Sequence, residues 1–211
     1  IMQDLEGYRI RIGFFPGKKE KAISKGKTLY LTKCPATEND SHIPFDYTGD
    51  LKKIKPGTLI YIDDGNIILE AKSSTEGSVK AKVIEGGRLK ERKGVNMPGA
   101  RMPFTGGLTA KDKRDIEFGI RNRVDYIAQS FVRNKKDIDS VREHIEKPLP
   151  GCKIVAKVET REAINNIDEI IKASDGIMIA RGDMGISVPI YEIPIIQKNI
   201  IKKCNRKKKF V

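Results

Sequence analysis

An α/β fold in two parts is what this sequence predicts: a small antiparallel β-barrel or sandwich of about 90 residues, followed by βα repeats on a parallel sheet. Three observations predict it. Up to about residue 103, apolar residues alternate in short runs punctuated by Gly- and Asp-containing turns. Beyond that point, apolar residues recur at helical spacing between short β-rich runs. These strand–helix units repeat about every 25 to 28 residues, so parallel strands with right-handed crossovers are expected.

In the first part, Lys27–Lys33 (KTLYLTK) alternates as a strand does, and Thr58–Asp63 (TLIYID) follows a Pro-Gly step. Asn66–Lys72 and Ser78–Glu85 are the next strands. Asp64-Gly65-Asn66 lies between two apolar runs, which is a hairpin signal, and Gly86-Gly87 marks another turn. In the second part, Thr109 and Asp112 have capping-box spacing at the start of a helix carrying Ile116 and Ile120. Val124–Phe131 is a strand, and Lys135–Lys147 is a helix with Ile138, Val141 and Ile145 on one face. Pro148 and Pro150-Gly151 stop that helix. Cys152–Glu159 is a strand, Arg161–Ser174 a helix, Gly176–Asp183 a strand and Glu192–Asn205 a helix. Phe210-Val211 begins a further strand.

Composition narrows the function. The chain has 211 residues, enough for one or two domains, and no apolar run approaching the length of a membrane span. Neither a membrane partner nor a secretory leader is expected. Three widely spaced cysteines without a CxxC argue against a disulfide framework or a structural zinc site, and for a cytoplasmic setting. The net charge of +13 owes more than half its excess to Lys198–Val211, which holds seven basic residues and no acidic one. No aromatic pattern accompanies this stretch, so it is read as a solvated helix end rather than a nucleic-acid contact.

The chemistry gathers at strand ends. In Ile154–Glu159, Val155, Lys157 and Glu159 share one face, and Ile154, Ala156 and Val158 the other. A Lys and a carboxylate on a buried strand are costly unless paired or bound to a ligand. Arg181 and Asp183 repeat that spacing at the end of the next expected strand, and Ser130-Phe131 with Arg133 stand at the end of the one before. Buried ion pairs are the plainer reading. The repetition on adjacent strands favours a site, because the carboxyl ends of barrel strands are where catalytic groups sit. Glu159 and Asp183 suit Mg²⁺ or Mn²⁺, Lys157 suits an anion, and the amides of Gly182-Asp183 suit a carboxylate or phosphate. Phosphoryl transfer or enolate chemistry is the reaction class these parts imply.

Several runs resemble the pyruvate kinase family: Lys153–Glu159 (KIVAKVE), Ala173–Gly185 (ASDGIMIARGDMG), Gln129–Arg133 (QSFVR), Ile60–Gly65 (IYIDDG), Lys93–Gly99 (KGVNMPG) and Gln3–Gly13 (QDLEGYRIRIG). The resemblance implies a partial TIM-type β/α barrel with an inserted small β-barrel lid domain. Residues 1–11 would end a barrel strand, 12–103 form the lid, and 104–211 return to the barrel. It also implies a central fragment, inactive alone, of a cytoplasmic and homotetrameric parent that transfers the phosphoryl group of phosphoenolpyruvate to ADP. Gly7-Tyr8 departs from the family's Gly-Pro, Pro98–Thr109 lacks its Leu-Pro step, and Lys207-Lys208 replaces the common Ala-Gly.

Residue roles follow from the resemblance. Lys157 would stabilise the transferring phosphoryl group and the enolate oxygen. Glu159 and Asp183 would hold Mg²⁺ or Mn²⁺. Gly182 and Asp183 would hold the phosphoenolpyruvate carboxylate by their backbone, with Ser130 and Phe131 lining that pocket. Arg11 would contact nucleotide or phosphate, and Asp64, Lys93 and Asn96 sit in lid motifs that close over ADP or ATP, although Asp64 also reads simply as a hairpin turn. Arg9 matches a position carrying Glu in potassium-dependent members and Lys in potassium-independent ones, so K⁺ should not be required. Two other readings stay open: a different metal-dependent β/α-barrel enzyme of pyruvate enolate chemistry, and a non-catalytic basic nucleic-acid-binding protein. Arg181-Gly182-Asp183 as a cell-adhesion tripeptide is remote at a strand end.

Overall fold

A computed structural model describes residues 1–17, 19–35, 41–98 and 107–211. The chain divides into a β unit, Arg9–Thr105, and a βα unit, Ile1–Tyr8 with Gly106–Val211. The first division lies three residues before the expected end of the barrel strand. The expected boundary at 103/104 and most of the Pro98–Thr109 linker fall outside the described residues.

Strand β1 (Met2–Leu5) opens the chain and belongs to the βα unit. The β unit follows with β2 (Ile10–Arg11), β3 (Glu20–Ile23), β4 (Thr28–Thr32), β5 (His42–Pro44), β6 (Leu59–Ile62), β7 (Ile67–Ser74), β8 (Ser78–Glu85), β9 (Gly87–Lys90) and β10 (Gly94–Asn96). Seven of these form one sheet in the order β2-β10-β6-β7-β8-β4-β5. A bridge between Ile12 and Phe45 links its two ends, so the sheet curls back on itself as a small barrel. Strands β3 and β9 form a separate antiparallel ribbon. Neighbours in the larger sheet are antiparallel except β4 and β5, which run parallel. Alternation makes the core: Val79, Ala81 and Val83 are buried on β8, while Lys80 and Lys82 between them are exposed. The β6–β7 hairpin turns through Asp63, Asp64 and Gly65, all with positive φ, and the Asn66 amide closes it on the Asp63 carbonyl at 3.1 Å.

The βα unit continues with α1 (Ala110–Arg121), β11 (Tyr126–Gln129), α2 (Lys135–Ile145), β12 (Lys153–Val158), α3 (Arg161–Asn165), α4 (Ile167–Ala173), β13 (Gly176–Ile179), α5 (Arg181–Ser187) and α6 (Ile193–Arg206). Its sheet is parallel throughout, in the order β1-β11-β12-β13, and Phe210 bridges Gly176 in parallel beside β13. Thr109 caps α1 with a reciprocal Asp112 bond. Ile127, Ile154, Ala156, Val158 and Ile177 join one core with Ile138, Val141, Ile170 and Ile200 of the helices. Burying each of the Val and Ile side chains among them contributes about 1.5–3 kcal/mol. No described helix is long and apolar enough to cross a membrane.

Two elements depart from expectation. The helix expected over Arg161–Ser174 breaks at Asn166, whose side-chain amide donates to the Arg133 carbonyl at 2.9 Å. Asn readily leaves helical geometry when its side chain finds such a bond. The strand expected over Gly176–Asp183 ends at Ile179, and Arg181–Ser187 is helical. Met184, fully buried in the core, folds inward on that helix. The i, i+2 pairing of Arg181 and Asp183 on one strand face is therefore corrected: both stand in the first turn of α5.

Candidate active site

Register sorts the side chains of the parallel sheet. Gln3, Ile127 and Ile154 are level across β1, β11 and β12, as are Asp4, Ala128 and Val155, and then Leu5, Gln129 and Ala156. Residues level with one another point to one side. Ile127, Ile154 and Ala156 face the helices, so Asp4, Ala128, Val155 and Lys157 face the other way. Ser130, just past β11, joins Lys157 there.

Lys157 sits at the centre of this face, near the carboxyl end of β12. Its ammonium donates to Ser130 Oγ at 2.8 Å and to both oxygens of Asp4 at 3.0 Å, and it lies 3.3 Å from Glu159 Oε1. Ser130 donates in turn to Asp4 Oδ1 at 3.3 Å. Burial works against the Lys157 charge, but the hydrogen bond to Asp4 and the field of Glu159 outweigh it and hold the pKa above its usual value.

Glu159, one residue past β12, is 1% exposed. Burial pushes its carboxyl up to about 7; Lys157 opposes that rise and the Asp183 charge adds to it. The Phe131 amide donates to Glu159 Oε2 at 3.2 Å. Phe131 is held at φ 54, the left-handed region a bulky side chain rarely occupies, and this turn points its N–H at the carboxylate. Gly7, at φ 66, sits where a Cβ would lie 2.6 Å from the Ser130 carbonyl oxygen, so only glycine lets the exit from β1 pass so close.

Asp183 is half-buried in the first turn of α5, close enough for its charge to act on Glu159. Gly182 beside it is exposed, and a Cβ there would meet nothing within 4 Å. Among the described residues no three His, Cys, Asp or Glu side chains converge as a metal cage. The two carboxylates Glu159 and Asp183 form an all-oxygen partial set, which suits a hard divalent ion that keeps water and substrate ligands.

This chain belongs to the pyruvate kinase family. The family model for the pyruvate kinase barrel domain matches residues 1–211. A pyruvate kinase of Clostridium perfringens is 39% identical over 214 residues, covering 100% of this chain and 44% of that protein. One from Thermococcus litoralis is 38% identical over 205 residues, covering 97% and 43%. One from Geobacillus stearothermophilus is 41% identical over 186 residues, covering 87% and 32%. The chain thus spans a third to under half the length of these relatives.

The residues singled out by the pyruvate kinase resemblance fall into two groups. Lys157, Glu159, Ser130 and Phe131 meet on the βα unit, with Asp183 acting on Glu159. Arg9, Arg11, Asp64, Lys93 and Asn96 belong to the β unit. There Arg9 pairs with Asp64 at 2.7 Å, Lys93 pairs with Asp63 at 2.7 Å, and Arg11 donates to the Arg92 carbonyl at 2.9 Å. Asn96 is level with Tyr61 on β6. Arg133 is tied to Asp137 at 3.1 Å. Sequence reasoning missed Asp4. Its signal was an acidic side chain alternating with Gln3 and Leu5 on the first strand, too short a run to fix its face.

Proposed function

We propose that the enzyme carrying this chain transfers the phosphoryl group of phosphoenolpyruvate to ADP, giving pyruvate and ATP. The phosphorus–oxygen bond to the enol breaks, a bond to the terminal ADP oxygen forms, and the enolate takes a proton at its methylene carbon. The observation that carries this reading is the ion pair of Lys157 with buried Glu159 at the carboxyl end of β12, with Asp183 following the next strand, in a chain matched throughout by the family. Lys157 binds oxygens of the transferring group and offsets the charge that develops on the enolate. The amides of Gly182 and Asp183, with Ser130 and Phe131, orient the substrate carboxylate. Arg11, Lys93, Asn96 and Asp64 are assigned to the nucleotide.

Glu159 and Asp183 hold Mg²⁺ or Mn²⁺ in this reading. The fit rests on the donor chemistry and on the burial of Glu159 beside the like charge of Asp183, which a divalent cation would offset. When bound, the ion neutralises charge on phosphoryl and enolate oxygens. The parent is assigned as a cytoplasmic homotetramer by the same resemblance.

Arg9 is assigned as the cation that replaces K⁺, since a guanidinium is always charged and reaches about as far as a lysine. Exchanging K⁺ for tetramethylammonium at constant ionic strength should leave turnover within about tenfold, a barrier change of about 1.4 kcal/mol; a larger loss removes the assignment. The reaction itself is tested by coupling pyruvate formation to NADH oxidation in the intact protein. Pyruvate should appear only with phosphoenolpyruvate, ADP and a divalent ion together, and its absence under those conditions would refute the reading.

A further inference from the structure

The β unit carries positive charge of its own, apart from the basic C-terminal stretch. Arg9–Thr105 holds 19 Lys and Arg against 11 Asp and Glu. Register shows where part of that charge stands. His42 on β5, Tyr30 on β4, Lys80 on β8 and Ser73 on β7 are level across four adjacent strands. Thr28, Lys82 and Glu70 form the next row. Val79, Ala81 and Val83 fill the core between them, so both rows lie on the outer face of the sheet. Lys80, Lys82, Thr28 and Ser73 are exposed there, and Tyr30 and His42 are half-buried.

Folding does not account for the two lysines. Neither has an ion pair among the described residues. Glu70 is level with Lys82 and would be its natural cross-strand partner, but it pairs with Lys72 at 2.6 Å instead. Lys72 is the residue that a register shift adds between Ala71 and Ser73. Lysines commonly protect the edges of sheets, yet β8 lies inside this one, between β7 and β4. Two like charges on one strand face also repel each other. The aromatic rings complete the pattern. Tyr30 and His42 stack with centroids 5.2 Å apart and planes 16° from parallel, in the same row as Lys80. Lys198–Val211 offers cations without such rings; this face has both in register. Bases stack on aromatic rings while lysines meet phosphates, which is how single strands are bound without readout of their sequence.

We propose that the outer face of β5, β4, β8 and β7 binds single-stranded nucleic acid, with phosphates on Lys80 and Lys82 and a base against the Tyr30–His42 stack. This is a binding function beyond phosphoryl transfer and does not depend on it.

The test is fluorescence anisotropy of a labelled oligouridine, about twelve nucleotides long, titrated with the full 211-residue chain. At physiological salt its dissociation constant should lie at about 1–100 μM. Lys80→Gln combined with Lys82→Gln should weaken binding at least tenfold. It should also take about 1.4 off the slope of log affinity against log salt, about 0.7 for each lost phosphate contact. Tyr30→Leu should weaken oligouridine binding at least threefold and leave the affinity for inorganic polyphosphate, which has no bases, unchanged. His42→Leu reads the same stack if Tyr30→Leu does not fold, as urea unfolding of each variant shows. Lys202→Gln combined with Arg206→Gln should change nothing. Binding no tighter than about 1 mM, weaker than ordinary non-specific contacts, overturns the proposal. So does a Lys80 and Lys82 variant that binds like the parent, or a stack variant that keeps oligouridine or loses polyphosphate equally. An equal loss in the Lys202 and Arg206 variant places binding on the C-terminal stretch and overturns it as well.

Discussion

Glu159 and Lys157 show how much a single strand's alternation conveys. Reading Val155, Lys157 and Glu159 on one face and Ile154, Ala156 and Val158 on the other needed only the two-residue period, because β12 is buried and its apolar set is unbroken. Asp4 was not legible in the same way. It lies on a four-residue strand whose partner strand comes more than 120 residues later, so its proximity to Lys157 depends on sheet order rather than local pattern. The left-handed turn at Phe131 was hidden too, since nothing in the residue type announces it. Gly7 offers a test at this scale. Gly7→Ala places a methyl group 2.6 Å from the Ser130 carbonyl oxygen and forces alanine into positive φ. We expect a destabilisation of about 1–3 kcal/mol, read as a lowered thermal midpoint. An unchanged midpoint would mean that the exit from β1 does not run as described.

Elements were legible where caps and turns carried their own chemistry. The Thr109–Asp112 capping box and the Asp63–Asn66 hairpin follow directly from residue type and spacing. The break at Asn166 and the helix over Arg181–Ser187 did not, because a tertiary bond to Arg133 and the burial of Met184 decide them. The hairpin also carries a pH dependence. The hydrogen bond from Lys93 holds the Asp63 carboxyl below its usual range, against a smaller opposing effect of burial. A depressed carboxylate pKa stabilises the fold above the unfolded value of about 3.9 and loses that contribution as pH falls through the folded value. Lowering the pH from about 5 to 2 should therefore remove about 0.2–1 kcal/mol that Lys93→Gln lacks already, the scale of a pair largely open to water. Urea midpoints across that range for both proteins measure it. Parallel pH curves for the two would show that the Asp63–Lys93 pair contributes nothing.

Across the whole molecule, the change of period near residue 103 separated β-rich from βα sequence, and the parallel order β1-β11-β12-β13 agrees with the repeat that signalled it. What sequence periodicity could not convey was which strand ends meet. Among the described residues, β1 has a partner on one side alone, and four strands with the Phe210 bridge leave the parallel sheet open. Misplacement by about 1 Å costs roughly 100-fold in rate. The 211-residue chain by itself should thus turn over phosphoenolpyruvate and ADP below about 1 per second, the lower end of ordinary enzymes. A rate within the ordinary range would show that the described constellation is sufficient. The proposed divalent-cation site joins Glu159 and Asp183 beside Lys157. The most direct measurement is Mn²⁺ binding by electron paramagnetic resonance to the intact protein and to Glu159→Gln, Asp183→Asn and the remote Asp125→Asn. Each of the first two should weaken binding at least tenfold while Asp125→Asn leaves it unchanged; equal affinity in all four proteins would contradict the account.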